Sequence, residues 1–422
     1  MRSLAILMFA TFYPPYNFGG DGVGIQRMAR ALAARGHRVT VVHDEDAFLN
    51  LGGKVPAAGP DEPGIRRIGM RSKHGMLSDL LVQQTGHPVL HAKRIREIAE
   101  SAEWDIVWYN NASLIGGPGL FDYGSGLKVY EAHEHWLVCP MHVLWRYKRE
   151  LCDERDCLKC TLVHKRPPQL WRYTGLLDRQ LDKIDMIVAK SQFSAGKHQE
   201  FGLRQDMTVL PYFLPDLDHA VTAPFAGHPR PYFLFVGRLE QIKGLQDVFP
   251  VMDRIDGADL LILGNGDYRA ELERLAAGNP RIRFLGRLPS DELNAYYRGA
   301  EALIVPSVCY ETFGIILIES FRLGTPVIAR RLGPFPEIVE ASGGGKLFET
   351  EDELVEAMRF FLQPSAERSG MSAAARKGFE DLWREDRVMT SWGEALARAA
   401  HKSGRAELAK VLEAGAFENG AA

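Results

Sequence analysis

The chain has 422 residues, 46% of them hydrophobic and 25% charged, with a formal net charge of −3. That length exceeds one ordinary domain and suits two α/β domains of roughly 200 residues each, and the near-neutral balance excludes any global attraction to nucleic acid or anionic lipid. No stretch reaches the roughly 20 apolar residues that cross a bilayer, and five cysteines in so long a chain do not make a disulfide scaffold.

The apolar run at residues 4–10 stops at Pro14-Pro15 and lacks the length and cleavage pattern of a secretion signal, so it reads as a buried first strand in a cytoplasmic protein, with peripheral membrane contact left open. A helix over residues 24–35 and a strand over 39–42 follow; strand, helix, strand implies a parallel sheet. Further strands are predicted at 106–109, 127–130, 186–189 and 208–210, with a helix at 91–101. Between residues 214 and 231 the prolines Pro215, Pro224, Pro229 and Pro231 interrupt all periodicity and mark a boundary. Strands then recur at 232–236, 260–263, 282–285, 302–305 and 326–329, and the chain turns helical after Glu351. The expected class is α/β: two doubly wound Rossmann-like domains, residues 1–214 and 215–387, facing a central cleft. Residues 388–422 form a helix returning to the first domain and a frayed tail from Gly415.

In open parallel sheets ligands bind beyond the carboxyl ends of the strands, so the loops after strands carry most weight. One runs Pro306-Ser307-Val308-Cys309-Tyr310-Glu311-Thr312-Phe313-Gly314 into a helix beginning near Ile315. A helix start beside a glycine offers free amides to a phosphate. Glu311 before that helix and Glu319 within it are acceptors suited to a polyol; alone they read equally well as a residue favoured by the helix dipole and a solvated one. A second loop, Gly237-Arg238-Leu239-Glu240-Gln241-Ile242-Lys243-Gly244, sets two cations just past a strand end, where they could neutralise a departing diphosphate. A third, Gly264-Asn265-Gly266-Asp267, is by itself a turn signal.

Taken together, Gly237-Arg238-x4-Lys243-Gly244, Leu263-Gly264-x-Gly266, Phe284-Leu285-Gly286 and Glu311-x7-Glu319 resemble glycosyltransferase family 4, retaining enzymes of the two-domain GT-B fold, over nearly all of residues 230–340. The resemblance implies that Glu311 holds hydroxyls of the transferred sugar and that the backbone at Phe313, Gly314 and Ile315 meets sugar and phosphates. It gives the ribose hydroxyls to Glu319 and the diphosphate to Arg238 and Lys243. Gly264 joins the donor site, and the backbone around Gly286 and Arg287 meets the base. The implied reaction moves a hexose or N-acetylhexosamine, without a metal, from a UDP- or GDP-type donor to a glycan, lipid-linked or small-molecule acceptor. A nucleotide-sugar epimerase of similar fold and a non-catalytic nucleotide-sugar-binding protein are the rivals.

In the first half, Gly19-Gly20-Asp21-Gly22-Val23-Gly24 resembles the family's glycine-rich loop beside the donor phosphates, which brings Gly19 and Gly20 into the donor site. The pattern also suits a nicotinamide dinucleotide, whose acidic partner would be Asp44 or Glu45 in a charged cluster. After strand 127–130 the resemblance sets His133 near the transferred sugar beside an acidic residue, here Glu134, to position or to exchange protons; a packing histidine is the plain alternative. Cys139, Cys152, Cys157 and Cys160 form a C-x12-C-x4-C-x2-C series whose close pair has the spacing of half a metal knuckle. Four thiolates suffice for a structural zinc; an iron–sulfur cluster, two disulfides and reduced thiols are the other readings. Within the excursion at 139–173, His142, Trp145, Arg146, Tyr147, Lys148, Arg149, Lys165, Arg166, Trp171, Arg172 and Tyr173 interleave aromatics with cations. That mixture suits a lipid-phosphate headgroup or a glycan as well as an ordinary solvated face, and no nucleic acid is expected.

Overall fold

The computed structural model describes residues 2–57, 59–217, 223–225 and 227–418. They divide into two compact units: one made of the residues up to Pro211 and those from Val388 onward, the other of Tyr212–Arg387. Part of the proline-rich 214–231 stretch (218–222 and 226) and the last four residues of the expected frayed tail (419–422) lie outside the described residues.

The first unit holds strands β1 (Ala5–Ala10), β2 (Arg38–Asp44), β3 (Ile65–Met70), β4 (Ile106–Tyr109) and β5 (Leu127–Ala132), a small hairpin β6 (Trp145–Arg146) and β7 (Glu150–Leu151), then β8 (Met186–Ala189) and β9 (Met207–Val209). Apart from the hairpin they form one sheet in the order β3-β2-β1-β4-β5-β8-β9, parallel throughout. Every residue of β1, β4 and β8 is buried, because a parallel sheet covered on both faces demands unbroken apolar runs. β3 was not anticipated: it lies at the sheet edge, half exposed, and its sequence Ile-Arg-Arg-Ile-Gly-Met has no such run.

The second unit repeats the plan with β10 (Tyr232–Val236), β11 (Asp259–Leu263), β12 (Ile282–Gly286), β13 (Leu303–Val305), β14 (Val327–Arg330) and β15 (Gly345–Phe348), ordered β12-β11-β10-β13-β14-β15 and again parallel. The strand order reverses between β1 and β4 in one sheet and between β10 and β13 in the other. Each reversal opens a crevice at the carboxyl edge.

Two expectations about local structure need correction. The first helix begins at Gly20, not Gly24, so most of the supposed glycine loop is helical. Of its glycines, Gly22 serves close packing: a Cβ there would stand 2.4 Å from Asn17 Oδ1. The tail is docked at its start rather than frayed. Ala416 and Phe417 are buried, His37 Nε2 lies 2.7 Å from Ala416 O, and Arg35 Nε donates to Phe417 O at 2.8 Å. An aromatic side chain that finds an apolar seat holds a terminus that sequence position alone would leave loose. The helix Glu385–Lys402 puts Trp392 4.6 Å from Trp108, both fully buried. Among the described residues no helix is long and apolar enough to cross a membrane.

His43, on β2, is pushed down to about 4 by burial, with Arg67 adding to the effect. An unfolded chain takes up this proton near pH 6.5 while the folded one refuses it until about pH 4, so stability falls as pH drops through that window, by at most about 3 kcal/mol from this group. Replacing His43 with Gln is expected to flatten the fall of the thermal midpoint between pH 6.5 and 4; an unchanged profile would remove His43 from the account.

Candidate functional site

The loops after β10 and β13 flank the crevice of the second sheet. One backbone bond joins them, Val308 N donating to Ile242 O at 2.9 Å, and others tie in the neighbouring strand ends: Gly237 N donates to Leu263 O at 3.0 Å and Leu239 N to Asn265 O at 3.0 Å, linking the β10 loop to β11, and Gly264 N to Gly286 O at 2.8 Å, linking β11 to β12. Two glycines make the approach possible. Gly264 has φ +144°, and a Cβ there would lie 1.8 Å from Gly237 O; Gly244 has φ +69°, and its Cβ would lie 2.1 Å from Pro306 O. Only glycine removes both the clash and the strain.

On this frame Lys243 Nζ sits 2.5 Å from Glu311 Oε1, to which Ser307 Oγ also donates at 3.3 Å. Burial opposes the charge on Lys243, but the Glu311 carboxylate outweighs it and holds the ammonium above the ordinary lysine range. Glu319 lies on the helix Ile315–Arg322 and has its own donor, the Tyr297 hydroxyl at 3.0 Å. Burial first, and Glu319 next, keep that phenol protonated well beyond its usual range. The two glutamates are therefore fixed separately. Arg238 pairs with Glu240 at 2.6 Å and leaves 57% of its side chain exposed, and Arg287 is exposed. Gly314 caps the helix that Ile315 opens, and Phe313 is buried with its ring 5.7 Å from that of Tyr212.

Sequence reasoning missed the supports. Arg330 donates from Nε to Pro306 O at 3.0 Å and pairs with Asp247 at 2.7 Å, bracing the loop that carries Glu311. Its signal was a charge closing the apolar strand β14; Ser307 and Tyr297 gave none. Cys309 is buried, and burial followed by Glu311 pushes its thiol up to about 12, which makes it unreactive.

In the first unit, Thr11 N donates to Asn111 O at 2.6 Å across the β1/β4 reversal, and Asn111 Nδ2 to Asp21 Oδ2 at 3.3 Å. Gly19 caps the helix that starts at Gly20, and a Cβ on Gly20 would meet nothing within 4 Å. His133 is buried with Nε2 3.0 Å from Asn110 Oδ1. Its acidic neighbour is Glu131 at 3.7 Å, not Glu134, which instead pairs with His142 at 2.7 Å. Residues two apart along an extended segment share a face, and adjacent ones do not. Glu131 is also ion-paired with Lys190 and accepts from Trp108 Nε1 at 2.8 Å. Burial lowers His133 while Glu131 resists, leaving it below the usual histidine value and neutral at pH 7. Lys190, set directly after the apolar β8, was overlooked.

The excursion after His133 carries all four cysteines as free thiols, Cys139 and Cys160 buried, Cys152 and Cys157 half-buried. Tyr147 N points at Cys160 Sγ at 3.5 Å, and the amides of Met141 and Leu144 at Cys139. Burial and the nearby Cys139, Cys157 and Cys160 push the Cys152 thiol up to about 12. Among the described residues, every non-glycine residue with positive φ (His142, Leu144, Tyr147, Lys148 and Lys165) lies in this excursion. The single group of three or more potential ligand atoms all within 4.8 Å of one another among those residues lies elsewhere, at Asp44, Asp46 and His91. Two members of the aromatic and cationic set face inward: Trp171 is buried, and Arg172 donates to Trp136 O and Leu137 O while lying over the Trp171 ring at 4.6 Å.

Residues 223–378 match the family described as glycosyl transferases group 1. The second unit therefore carries a glycosyl transferases group 1 domain. The sulfoquinovosyl transferase SQD2 of Arabidopsis thaliana is 34% identical over 165 residues, 37% of this chain but only 32% of that protein's length. Among solved structures, sucrose-phosphate synthase from Thermosynechococcus elongatus superposes with a TM-score of 0.71 at 18% identity, covering 94% of this chain and all of that one. The Anabaena protein HepE, in complex with UDP and glucose, does so at 0.63 and 17%, with the same coverage. The fold is that of the GT-B class, two Rossmann-like domains. Arg238, Lys243, Gly264, Gly286, Glu311 and Glu319 all fall inside the group 1 domain.

Replacing Gly264 with Ala is expected to destabilise the group 1 domain by at least about 3 kcal/mol, since neither Gly237 nor the positive φ can yield cheaply. Gly20→Ala meets no atom and removes a flexible residue from a helix start, so it should hold or raise the thermal midpoint. Urea denaturation of both variants checks the contrast; equal effects would mean that backbone contact does not order these loops.

Proposed function

We propose that the chain is a retaining glycosyltransferase that moves a hexose or N-acetylhexosamine from a nucleotide-diphosphate sugar to a glycan, lipid-linked or small-molecule acceptor. The observation that carries the reading is the Lys243–Glu311 pair, which joins the loops after β10 and β13 at the strand reversal of a glycosyl transferases group 1 domain. HepE, solved with UDP and glucose, supports a uridine donor.

In this reading Glu311 accepts hydrogen bonds from sugar hydroxyls, Glu319 from the ribose, and the amides at Phe313, Gly314 and Ile315 meet the phosphates. The bond from the anomeric carbon to the diphosphate oxygen breaks and its electron pair stays on that oxygen, where Lys243 and Arg238 offset the growing charge without a metal. The acceptor oxygen bonds to the same face of the sugar, and its proton passes to the departing phosphate. His133, neutral and held by Asn110, positions the sugar rather than exchanging protons. Exposed Leu158, Leu162, Leu170 and Tyr173 beside Lys159, Lys165 and Arg166 favour an acceptor with a lipid part.

Wild-type protein mixed with UDP-sugars should show a raised thermal midpoint and should release nucleotide only when acceptor is present. Glu311→Gln should lower kcat/KM by about 10²–10³-fold while the fold persists. Turnover unaffected by that change would sink the assignment. Isomerised sugar formed without acceptor would point to the epimerase reading, and binding without any turnover to a non-catalytic one.

We also propose a structural zinc held by Cys139, Cys152, Cys157 and Cys160. Amide N–H groups directed at Cys139 and Cys160 stabilise thiolates, and a Cys152 thiol that burial first, and the neighbouring sulfurs next, keep protonated needs a cation to deprotonate. Cys157→Ser and Cys160→Ser are expected to lose one equivalent of zinc and several degrees of thermal midpoint. Unchanged zinc content in elemental analysis would refute the site.

A further inference from the structure

A second cluster of ligating groups lies in the first unit, independent of the donor reading. β2 ends at Asp44, which caps the helix Glu45–Asn50 by accepting from Ala47 N at 3.0 Å through Oδ1. Its other oxygen, Oδ2, is buried with no hydrogen-bond partner among the described residues, and the residue is fully inaccessible. Asp46, in the first turn of that helix, is also buried; its Oδ2 accepts from Ser72 N at 2.7 Å and lies 3.4 Å from His91 Nε2. His91 precedes the helix Ala92–Ala99, is 4% exposed, and makes no hydrogen bond through Nε2 among the described residues. One ligand atom from each of Asp44, Asp46 and His91 lies within 4.8 Å of the other two.

The charge around these atoms is unbalanced. Asp79 adds a third carboxylate; its Oδ2 accepts from Asn50 at 2.8 Å, and its Oδ1 is another buried oxygen without a partner among the described residues. No Lys or Arg side chain pairs with Asp44, Asp46 or Asp79 among the described residues; His91 is the sole basic partner in the ion pairs they form there. Buried charges that lack a partner are strongly disfavoured. A proton on Asp44 would remove its own charge but not those of Asp46 and Asp79. A metal ion would satisfy Asp44 Oδ2, Asp46 and the imidazole lone pair at once.

We propose that Asp44, Asp46 and His91 bind a divalent cation of the Mn2+ type, tying the carboxyl end of β2 to the Ser72 turn and the His91 helix. Two carboxylates and one imidazole suit manganese, magnesium or zinc and not a thiol-seeking ion. The role is structural: the backbone N–H of Asp44 bonds Thr11 O at 3.1 Å, so the cation would steady the strand end ahead of the Gly19 helix cap.

Chelator-stripped wild-type protein titrated with Mn2+ alone should remove one equivalent from the free-ion electron paramagnetic resonance signal, and its thermal midpoint should rise with Mn2+ concentration. Asp44→Asn keeps the helix cap, since Asn caps as well as Asp, but removes the charge. That variant, Asp46→Asn and His91→Ala should each weaken Mn2+ binding at least tenfold, while Glu103→Gln, at an exposed acid of the same unit, leaves it unchanged. If wild type shows neither bound Mn2+ nor a midpoint shifted by Mn2+, the proposal is overturned; a metal-free midpoint raised by Asp44→Asn would then mark the cluster as a protonated carboxyl group.

Discussion

Backbone touching backbone at Gly244 and Gly264 is the constraint on which the second unit depends. Parallel strands end side by side, but loops of ordinary residues would be held apart by their Cβ atoms. Without those atoms the carbonyls of Gly237 and Pro306 come into direct contact with neighbouring loops, and Lys243 and Glu311, 68 residues apart, meet at 2.5 Å. A lysine otherwise free to rotate is thus ordered before any ligand arrives, and the ordering entropy is not charged against binding. Arg330 reinforces the same loop from β14, outside the ion pair itself.

The first unit reaches comparable order by burying charge. Lys190 and Glu131 form an ion pair in the interior, with Trp108 donating to the carboxylate and His133 beside it. Such a pair is tolerable only when its remaining hydrogen-bonding capacity is met, because desolvation otherwise exceeds the attraction. Trp392 covers the arrangement, with Lys190 Nζ 5.3 Å from its ring centre and the tilted ring of Trp108 centred 4.6 Å away. The helix that carries Trp392 is therefore part of this interior despite its late place in the chain.

The same physics decides which features were legible in the sequence. Interior strands such as Ile106–Tyr109, Met186–Ala189 and Tyr232–Val236 stood out because double-sided burial enforces unbroken apolar runs. The edge strands β3 and β15 did not, since Arg66, Arg67 and Lys346 break the pattern where one side meets solvent. At the strand ends, charges and glycines marked the loops that carry Arg238, Lys243 and Glu311. Their partners Ser307, Tyr297 and Arg330 were invisible, because pairing across loops depends on three-dimensional register. Adjacency in sequence misled at His133: Glu134 was the nearer acid in the chain, Glu131 the nearer one in space. Phe417 was misjudged in the opposite way, dismissed for its terminal position although an apolar ring seeks burial.

Asp44 decides between two readings of the glycine-bearing segment that precedes it. A nicotinamide dinucleotide site needs an acidic side chain at the end of the second strand, free to receive ribose hydroxyls. Asp44 stands at that strand end but is fully buried and already caps the next helix. Glu45 turns toward β3, where a Cβ on Gly69 would stand 2.0 Å from its Oε1, and toward the Tyr16 hydroxyl. Neither carboxylate is presented as the dinucleotide reading requires, and the glycines at 20, 22 and 24 belong to a helix rather than to a phosphate-binding turn. In the second unit Glu319 is held differently: it lies on a helix that opens at the carboxyl edge of the sheet, is only partly buried, and has the Tyr297 hydroxyl as its hydrogen-bond donor. A carboxylate accepts more than one hydrogen bond, so one donor among the described residues leaves capacity for a ribose, and the proposed nucleotide recognition rests with the group 1 domain.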